Sequence, residues 1–422
     1  MYQRATLPNG LRIVCETMPD VASVSVGLWV EAGSRDEDPA EEGVSHLIEH
    51  MLFKGTRNRS ARAIAEAIDA VGGQLNAFTT REYTCFYAKI LADHLPLGLE
   101  LLADMYSASA FAEDEIAKEK GVIIEEIKSY EDAPDELVHD LLAAAFWPDH
   151  PLGRPILGTP ASVGRLTRDD VMSYLDRHYR PEKTVLAAAG RVDFSEVHRL
   201  ALAYLGDLPP GRTAGARTPP QPGKSRVIRR KEIEQVHLCL GGRGVARTHP
   251  DKYAVYVLDS ILGGSVSSRL FQSLREDRGL VYAAGSTHAT FRDVGLFSIY
   301  AGTAVENVDE VLRLIRAELD RLMEEPVGPK ELARAKEQLR GTFLLSLEST
   351  STRMSRLAKA ALFYDSFLTP PEVTARIQAV TAADVSRAAR AVFGTGPLAA
   401  AVVAPPGLAI DLDRLLAEEV AR

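Results

Sequence analysis

The chain has 422 residues, of which 46% are hydrophobic and 25% are charged, and its formal net charge is −9. This length predicts two or more domains, and the composition is typical of a globular protein. The acidic balance argues against a nucleic-acid-binding protein, and no apolar run is long enough to span a membrane. The first ten residues lack the apolar core of a signal peptide. The cysteines, Cys15, Cys85 and Cys239, are odd in number and widely spaced, so they indicate a reducing, cytoplasmic location.

Two strands are predicted at the start of the chain, at residues 11–16 and 22–31. In the second strand, alternation places Val24, Val26, Leu28 and Val30 on one face, and Ser23, Ser25, Gly27 and Trp29 on the other. A polar loop at residues 32–38 then leads to the most informative segment of the sequence.

That segment contains the pattern His-x-x-Glu-His, formed by His46, Glu49 and His50. Residues four apart lie on one face of a helix, so the two imidazoles can point at one metal ion, while Glu49 lies at the edge of that face. We expect Ser45 to cap the helix near its start and Gly55 to end it. Two neutral nitrogen ligands and a nearby carboxylate suit a zinc hydrolase, and this order is the inverted form of the commoner zinc-protease motif.

A third ligand must come from elsewhere, and a long helix predicted at residues 112–130 carries several carboxylates. Glu119 and Glu126 are seven residues apart and share a face, whereas Glu125 is rotated away by roughly 100°, toward solvent or a salt bridge. Taken alone, these glutamates more often indicate a solvated charged face. A carboxylate from this helix would nevertheless complete two histidines and one glutamate, with a position left for water.

Further elements follow from periodicity and from turn residues. In the first half, helices are predicted at residues 60–71, 91–107, 134–146, 167–179 and 195–205, with a β-hairpin at 74–87 and a strand at 184–189. In the second half, strands are predicted at 227–231, 236–240, 282–289, 295–301 and 398–403, and helices at 252–262, 268–276, 306–324, 329–347 and 352–363.

The two halves repeat each other in outline. Thr167, followed by aspartates and an apolar strand, matches Thr381 at the same spacing, with each threonine placed to cap a helix. The sequence therefore predicts a first domain at residues 1–207, a Pro- and Gly-rich linker at 208–226 and a homologous second domain at 227–422. The second domain has no His-x-x-Glu-His pattern.

These segments resemble the pitrilysin/insulinase family of zinc metallopeptidases, in the branch similar to the mitochondrial processing peptidase and its bacterial homologues. The resemblance covers the whole chain and is carried by residues 46–56, 73–79 and 274–282. It implies an α+β fold of two duplicated domains, each a mixed β-sheet with helices packed on one face. It also implies that two chains assemble as a homodimer to close a chamber.

The resemblance implies Zn²⁺ bound by His46, His50 and Glu126, with Glu119 orienting a ligand from behind. Glu49 would be the general base for the metal-activated water of an endopeptidase. Arg275 and Tyr282 match the family's Arg/Tyr pair, for which the resemblance implies substrate anchoring and stabilisation of the oxyanion, at the zinc site of the other subunit.

An extended, unfolded peptide is the expected substrate, added as a further strand along residues 75–79. Asn76, Ala77, Phe78 and Phe53 are the candidate substrate-binding residues. Asn76 would bind the peptide backbone, and the two phenylalanines would line an apolar pocket or, alternatively, serve as ordinary core aromatics.

Two functions of other classes remain as alternatives. A non-catalytic peptide-binding or scaffolding subunit is disfavoured by the intact motif. Another kind of zinc hydrolase, such as a deaminase, is disfavoured because this sequence lacks the cysteine pairs that those enzymes use.

Overall fold

The computed structural model describes residues 2–211, 217–223, 225–364, 366–394 and 398–412. The described residues form two compact units, neither of which is continuous in sequence. The first unit takes its residues from Met1–Ser129, Arg154–Thr218 and Ser346–Phe367, and the second from Tyr130–Gly153, Pro219–Leu345 and Leu368–Arg422. Residues 212–216 and 224 of the predicted linker lie outside the described residues, and the domain boundaries at 207 and 227 stay a prediction.

Helices and strands of the first half are β1 (Tyr2–Thr6), β2 (Arg12–Thr17), β3 (Ser23–Val30), α1 (Val44–Met51), α2 (Ala61–Asp69), β4 (Gln74–Thr79), β5 (Thr84–Leu91), α3 (Leu95–Ala108), α4 (Glu113–Glu131), α5 (Pro134–Phe146), α6 (Pro160–Arg165), α7 (Arg168–His178), β6 (Thr184–Gly190) and α8 (Phe194–Leu205). Those of the second half are β7 (Arg226–Arg230), β8 (Gln235–Gly244), α9 (Lys252–Leu262), β9 (Val281–Thr290), β10 (Gly295–Ala304), α10 (Val308–Glu324), α11 (Pro329–Ser346), α12 (Thr350–Phe363), α13 (Pro370–Ala379), α14 (Ala382–Phe393) and β11 (Ala399–Ala404). The helix predicted at 268–276 contains a π-helical turn at Phe271–Glu276.

Each unit contains one mixed sheet, and the two sheets have matching topology. The strand order is β1-β2-β6-β3-β5-β4 in the first sheet and β7-β11-β8-β10-β9 in the second. In each sheet one pair is parallel, β2 with β6 and β7 with β11, while the remaining pairs are antiparallel. The predicted α+β class with two sheets is confirmed, and the correspondence of strands supports duplication.

Both faces of the first sheet are covered by helices. On one face a large apolar core joins the sheet to α1, α3, α4, α7 and α8. On the other face α12 packs over β2, β3 and β6, where Met354 and Leu357 contact the cluster around Trp29. Because α12 covers this second face, β3 is buried on both sides. The Ser25 hydroxyl of β3 lies 2.8 Å from the Thr350 hydroxyl of α12. A helix from the other half of the sequence therefore completes this unit.

The second sheet is covered in the corresponding way. Helices α9, α10 and α14 share one core with its strands, and α5 packs on the opposite face against β8 and β11. In this unit α9 follows β8 as α1 follows β3 in the first, but it carries no histidine.

None of the helices in the described part of the chain has the length and apolar character needed to cross a membrane.

Candidate metal centre

The histidine helix α1 is fixed at its N-terminus by a buried glutamate from the preceding loop. The Glu37 carboxylate accepts hydrogen bonds from the backbone N–H groups of Gly43 and Ser45, each at 2.9 Å. Burial raises the pKa of Glu37 to about 7, and these N–H donors oppose the shift. Free N–H groups at a helix start favour an anion, so a carboxylate here sets where the helix begins.

The expectation that Ser45 caps this helix is wrong. The N-cap residue is Gly43, with φ of 93°, a conformation that favours glycine. Ser45 already lies inside the helix, and its hydroxyl donates to the Tyr174 hydroxyl at 2.9 Å, which donates in turn to the Gly33 carbonyl at 3.0 Å. The capping role passes to Glu37 because the tight turn at Gly43 brings the loop back over the helix end.

Helices α1 and α4 bring His46, His50 and Glu126 together. The Nε2 atoms of His46 and His50 lie 3.9 and 3.6 Å from Oε2 of Glu126, and one ligand atom from each of the three residues lies within 4.8 Å of the others. Among the described residues this is the one group of three or more such side chains that meets the distance. Glu125 points away, with its carboxylate 2.7 Å from the Lys128 ammonium, as predicted.

The donor set fits zinc. Two ligand atoms about 2.1 Å from zinc at tetrahedral angles are about 3.4 Å apart, close to the spacings seen here. Burial, together with the neighbouring His50, lowers the pKa of His46 to about 4, so its imidazole is neutral near pH 7 and retains a lone pair for a metal. Glu126 is less buried, with 46% of its side chain exposed, so the site is open on that side.

Glu119 lies behind His50, where the sequence predicts a supporting carboxylate. The Nδ1–H of His50 donates to Oε2 of Glu119 at 3.1 Å, and the Lys54 ammonium lies 2.6 Å from Oε1 of the same carboxylate. A ligating histidine commonly donates its second ring N–H in this way, which fixes the ring.

Glu49 lies between the two histidines in sequence and is partly buried. Burial raises its pKa, while the neighbouring Thr79 and His50 favour the charged form and partly offset the shift. Thr79 is the last residue of β4, so the candidate base lies beside the end of that strand.

Strand β4 is at the edge of its sheet, as expected for a strand that receives a peptide. A groove of about 590 Å³ runs beside it, and its lining includes Phe53, Leu75 and Asn76. Asn76 is exposed, and its side-chain oxygen accepts from the Ala77 N–H at 2.8 Å. Phe78 is not part of this lining, because it packs edge-on against Trp29, at 5.5 Å between ring centroids, and against other aromatics.

Arg275 and Tyr282 belong to the second unit. Their side chains contact each other, with the Arg275 guanidinium carbon 5.3 Å from the centre of the Tyr282 ring. Tyr282 is 75% exposed.

Sequence reasoning missed Glu37 and Lys54 as parts of this centre. Lys54 stands four residues after His50 and just beyond the end of α1 at Met51, so it is close to the histidine in sequence. Glu37 shows no comparable local signal, because its role depends on a loop folding back onto the helix.

Two family models match the chain. The family described as Insulinase (Peptidase family M16) matches residues 12–160, which contain all three candidate ligands. The family described as Peptidase M16 inactive domain matches residues 165–339.

Two bacterial relatives are similar over nearly the whole chain. An uncharacterized zinc protease of Bacillus subtilis is 43% identical over 407 residues, covering 96% of this chain and 99% of the relative. An uncharacterized zinc protease of Streptomyces coelicolor is 45% identical over 404 residues, covering 94% of this chain and 88% of the relative.

Solved structures share the fold. The crystal structure of a protease from Helicobacter pylori matches with a TM-score of 0.89 at 23% identity, covering 96% of this chain and 99% of that one. A peptidase M16 inactive domain from Pseudomonas fluorescens also has a TM-score of 0.89, at 22% identity, and covers 97% of this chain and 100% of that one.

Proposed function

This chain belongs to the insulinase family of M16 peptidases, and the two bacterial relatives described above are named zinc proteases. We propose that it is a zinc-dependent endopeptidase that cleaves extended, unfolded peptides. The observation that carries this proposal is the meeting of His46 and His50 with Glu126, from a different helix, at distances suited to zinc. A structural zinc site would use four protein ligands, whereas three leave a coordination position for the reaction.

His46, His50 and Glu126 would hold the metal. When bound, zinc supplies a Lewis acid that lowers the pKa of water and polarises the scissile carbonyl. Glu119 orients His50 through the Nδ1–H hydrogen bond, so that Nε2 faces Glu126 with its lone pair free.

Glu49 is proposed as the general base. It follows His46 by three residues, precedes His50 directly and is not part of the three-residue group. The charges of His50 and Glu126 both act on its pKa, which supports a position close to the candidate ligands. Glu49 accepts a proton from the attacking water and passes it to the leaving amine.

The edge strand β4 is proposed to bind the substrate backbone. A peptide that pairs with a free strand edge must be extended, which selects unfolded segments over folded proteins. Asn76 and Ala77 lie on that edge strand and Phe53 lines the groove beside it. Phe78 lies in the aromatic cluster with Trp29, and so supports the strand from behind.

We extend the proposal to a cytoplasmic homodimer, in which Arg275 anchors substrate and Tyr282 donates to the oxyanion at the zinc of the second copy. The exposure of Tyr282 and its contact with Arg275 support a shared role for the pair. The buried free thiols Cys15, Cys85 and Cys239 suit a reducing compartment.

The test is Glu49→Gln, assayed with a quenched fluorescent peptide library and with metal analysis. The variant is expected to keep one zinc per chain and to lose cleavage, since an amide cannot accept the proton. Glu125→Gln is the matched control, because it makes the same change at an exposed salt bridge and is expected to keep both properties. Cleavage by Glu49→Gln at the parental rate would exclude Glu49 as the base.

A non-catalytic, peptide-binding subunit is the competing function. The intact three-residue cluster disfavours it. The same assay decides between them, because a scaffolding subunit would bind peptide without turnover in the parental chain, whatever its zinc content.

A further inference from the structure

Lys54 is joined to the candidate zinc ligand His50 through a single carboxylate. Its ammonium lies 2.6 Å from Oε1 of Glu119, and the other oxygen of that carboxylate, Oε2, accepts from the His50 Nδ1–H at 3.1 Å. The three residues come from two separate segments, since Lys54 follows α1 and Glu119 lies on α4. The contact therefore ties the end of the histidine helix to the helix that carries Glu126.

The carboxylate between them is buried. The exposed fraction of the Glu119 side chain is 6%, compared with 32% for Lys54 and 21% for His50. A buried charge is costly unless it is paired and hydrogen-bonded. Lys54 supplies the compensating positive charge, and its remaining contact with solvent limits the cost of burying the pair.

The orientation of Glu119 decides which nitrogen of His50 faces the metal position. His50 can present a lone pair at Nε2 only when the proton is on Nδ1, where a carboxylate oxygen accepts it. With Oε1 held by the lysine, Oε2 stays turned toward the ring. Without the lysine, the carboxylate is free to rotate, and the ring loses a fixed partner.

We propose that Lys54 is a positioning residue for zinc binding, acting on His50 through Glu119. This inference rests on the proposed function, because it assumes that the metal binds at His46, His50 and Glu126. It predicts that Lys54 strengthens zinc binding although it carries the same sign of charge as the metal.

The direction in which zinc affinity changes on removal of Lys54 distinguishes a positioning role from a simple electrostatic effect. Removing a positive charge near a divalent cation strengthens cation binding if Coulomb repulsion is the main effect. Removing a group that holds a supporting carboxylate weakens binding, and loss of such an outer partner typically costs about 10- to 100-fold in metal affinity. The two explanations therefore predict opposite changes for the same substitution.

The experiment measures the zinc dissociation constant of the full chain by competition with a chromophoric chelator. Lys54→Met keeps the side-chain length and removes the charge, and roughly 10-fold weaker zinc binding is expected. Lys54→Gln is a second neutral variant with the same expected direction, and Lys54→Arg, which keeps the charge and the hydrogen-bond donors, should restore most of the affinity.

Lys128→Met is the matched control. Lys128 also pairs with a glutamate of α4, at 2.7 Å, but that pair is exposed and the glutamate, Glu125, faces away from the cluster. The substitution changes net charge by the same amount as Lys54→Met and should leave the zinc dissociation constant unchanged. Absorption spectra of Co²⁺-loaded protein provide a second readout, since altered ligand geometry in Lys54→Met shifts the bands while an intact site does not.

Unchanged or tighter zinc binding in both Lys54→Met and Lys54→Gln would overturn the inference. Circular dichroism of the metal-free variants establishes that each is folded before titration. Failure of the proposed function looks different, because the parental chain itself would then bind no stoichiometric zinc, or would lose none on substitution of Glu126.

Discussion

Substitution of Glu126 by glutamine tests the proposed third ligand of the candidate metal centre. Its Oε2 atom lies 3.6 and 3.9 Å from the Nε2 atoms of His50 and His46, so the substitution changes one of three converging donors and removes the only anionic one among them. The glutamine amide has nearly the same shape but no charge. Both histidines remain on α1 and the His50 ring keeps its hydrogen bond to Glu119, so only the contribution of the Glu126 carboxylate is lost.

The expected magnitude follows from the number of ligands. Structural zinc sites with four protein ligands bind with roughly 10–16 kcal/mol of apparent free energy, or about 2.5–4 kcal/mol per ligand. Loss of one anionic ligand should therefore weaken zinc binding by about 10²- to 10³-fold. Because 46% of the Glu126 side chain is exposed, water can replace the missing oxygen, which favours the lower end of this range.

The assay is zinc competition against a chelator, with Glu125→Gln as the neighbouring control. Glu125 forms an exposed pair with Lys128, and such pairs contribute about 0–1 kcal/mol to stability. The control should bind zinc like the parent. If Glu125→Gln lost zinc and Glu126→Gln kept it, the assignment of the third ligand would be reversed, and equal losses would point to a general effect of charge on α4.

Three further results are expected. Gly43→Ala should destabilise the protein by about 2–3 kcal/mol in chemical denaturation, because it combines a left-handed φ of 93° with a Cβ placed 2.9 Å from the Leu157 carbonyl oxygen. Gly72→Ala is the control, because Gly72 has a φ of 61° but open space around it, and this substitution should cost only about 1 kcal/mol. Equal costs for the two substitutions would refute the steric explanation. Thr381→Ala should cost about 1 kcal/mol at pH 6 through loss of a helix cap. The hydrogen bonds from Thr381 lower the pKa of Asp384 to about 2. The stabilising effect of the Asp384 carboxylate is therefore present above its ordinary pKa of 3.8 and is lost as the pH falls through 2. Urea midpoints of parent and variant should differ less at pH 3 than at pH 6, and a difference that widens in acid would contradict this pH dependence. Zinc at 100 times its Kd should add about 2.7 kcal/mol to the free energy of unfolding and raise Tm by a few degrees, and a chelator should reverse the change. A Tm that does not change with zinc would argue against a metal site in the folded state.

The parts of the structure that could be predicted from the sequence are those set by short spacings. The histidine pair shares a face because four residues make about one helical turn. The predicted caps at Thr167 and Thr381 are both present, each with a reciprocal hydrogen bond to an aspartate three residues later. Helix α13 could have been predicted in the same way, because Thr369 and Glu372 form a capping box with prolines between them.

Other parts depend on residues that are distant in sequence. Strand β1 is mostly exposed and has no apolar alternation, so its pattern does not predict a strand. The capping of α1 by Glu37 needs the loop before Gly43 to return to the helix, which no spacing rule describes. The aromatic packing of Phe78 against Trp29 joins β4 to β3, two strands that follow each other along the chain but are separated by β5 in the sheet, so the contact depends on the sheet order.

The exchange of α5 and α12 between the two units shows why the faces of the sheets were difficult to predict. The rule that a sheet in an α+β domain carries helices on one face describes only the helices that each sheet takes from its own half of the sequence, because these pack on one side. Strand β3 shows the difficulty directly, since Ser25 and Trp29 stand on the face that alternation assigns to solvent and yet both are fully buried. Burial of that face needs a helix, and the helix that provides it starts at Thr350, more than 300 residues later in the chain. The edge strand β4, proposed to bind substrate, and the candidate base beside it are thus supported by a sheet that is complete only when both halves of the sequence are present.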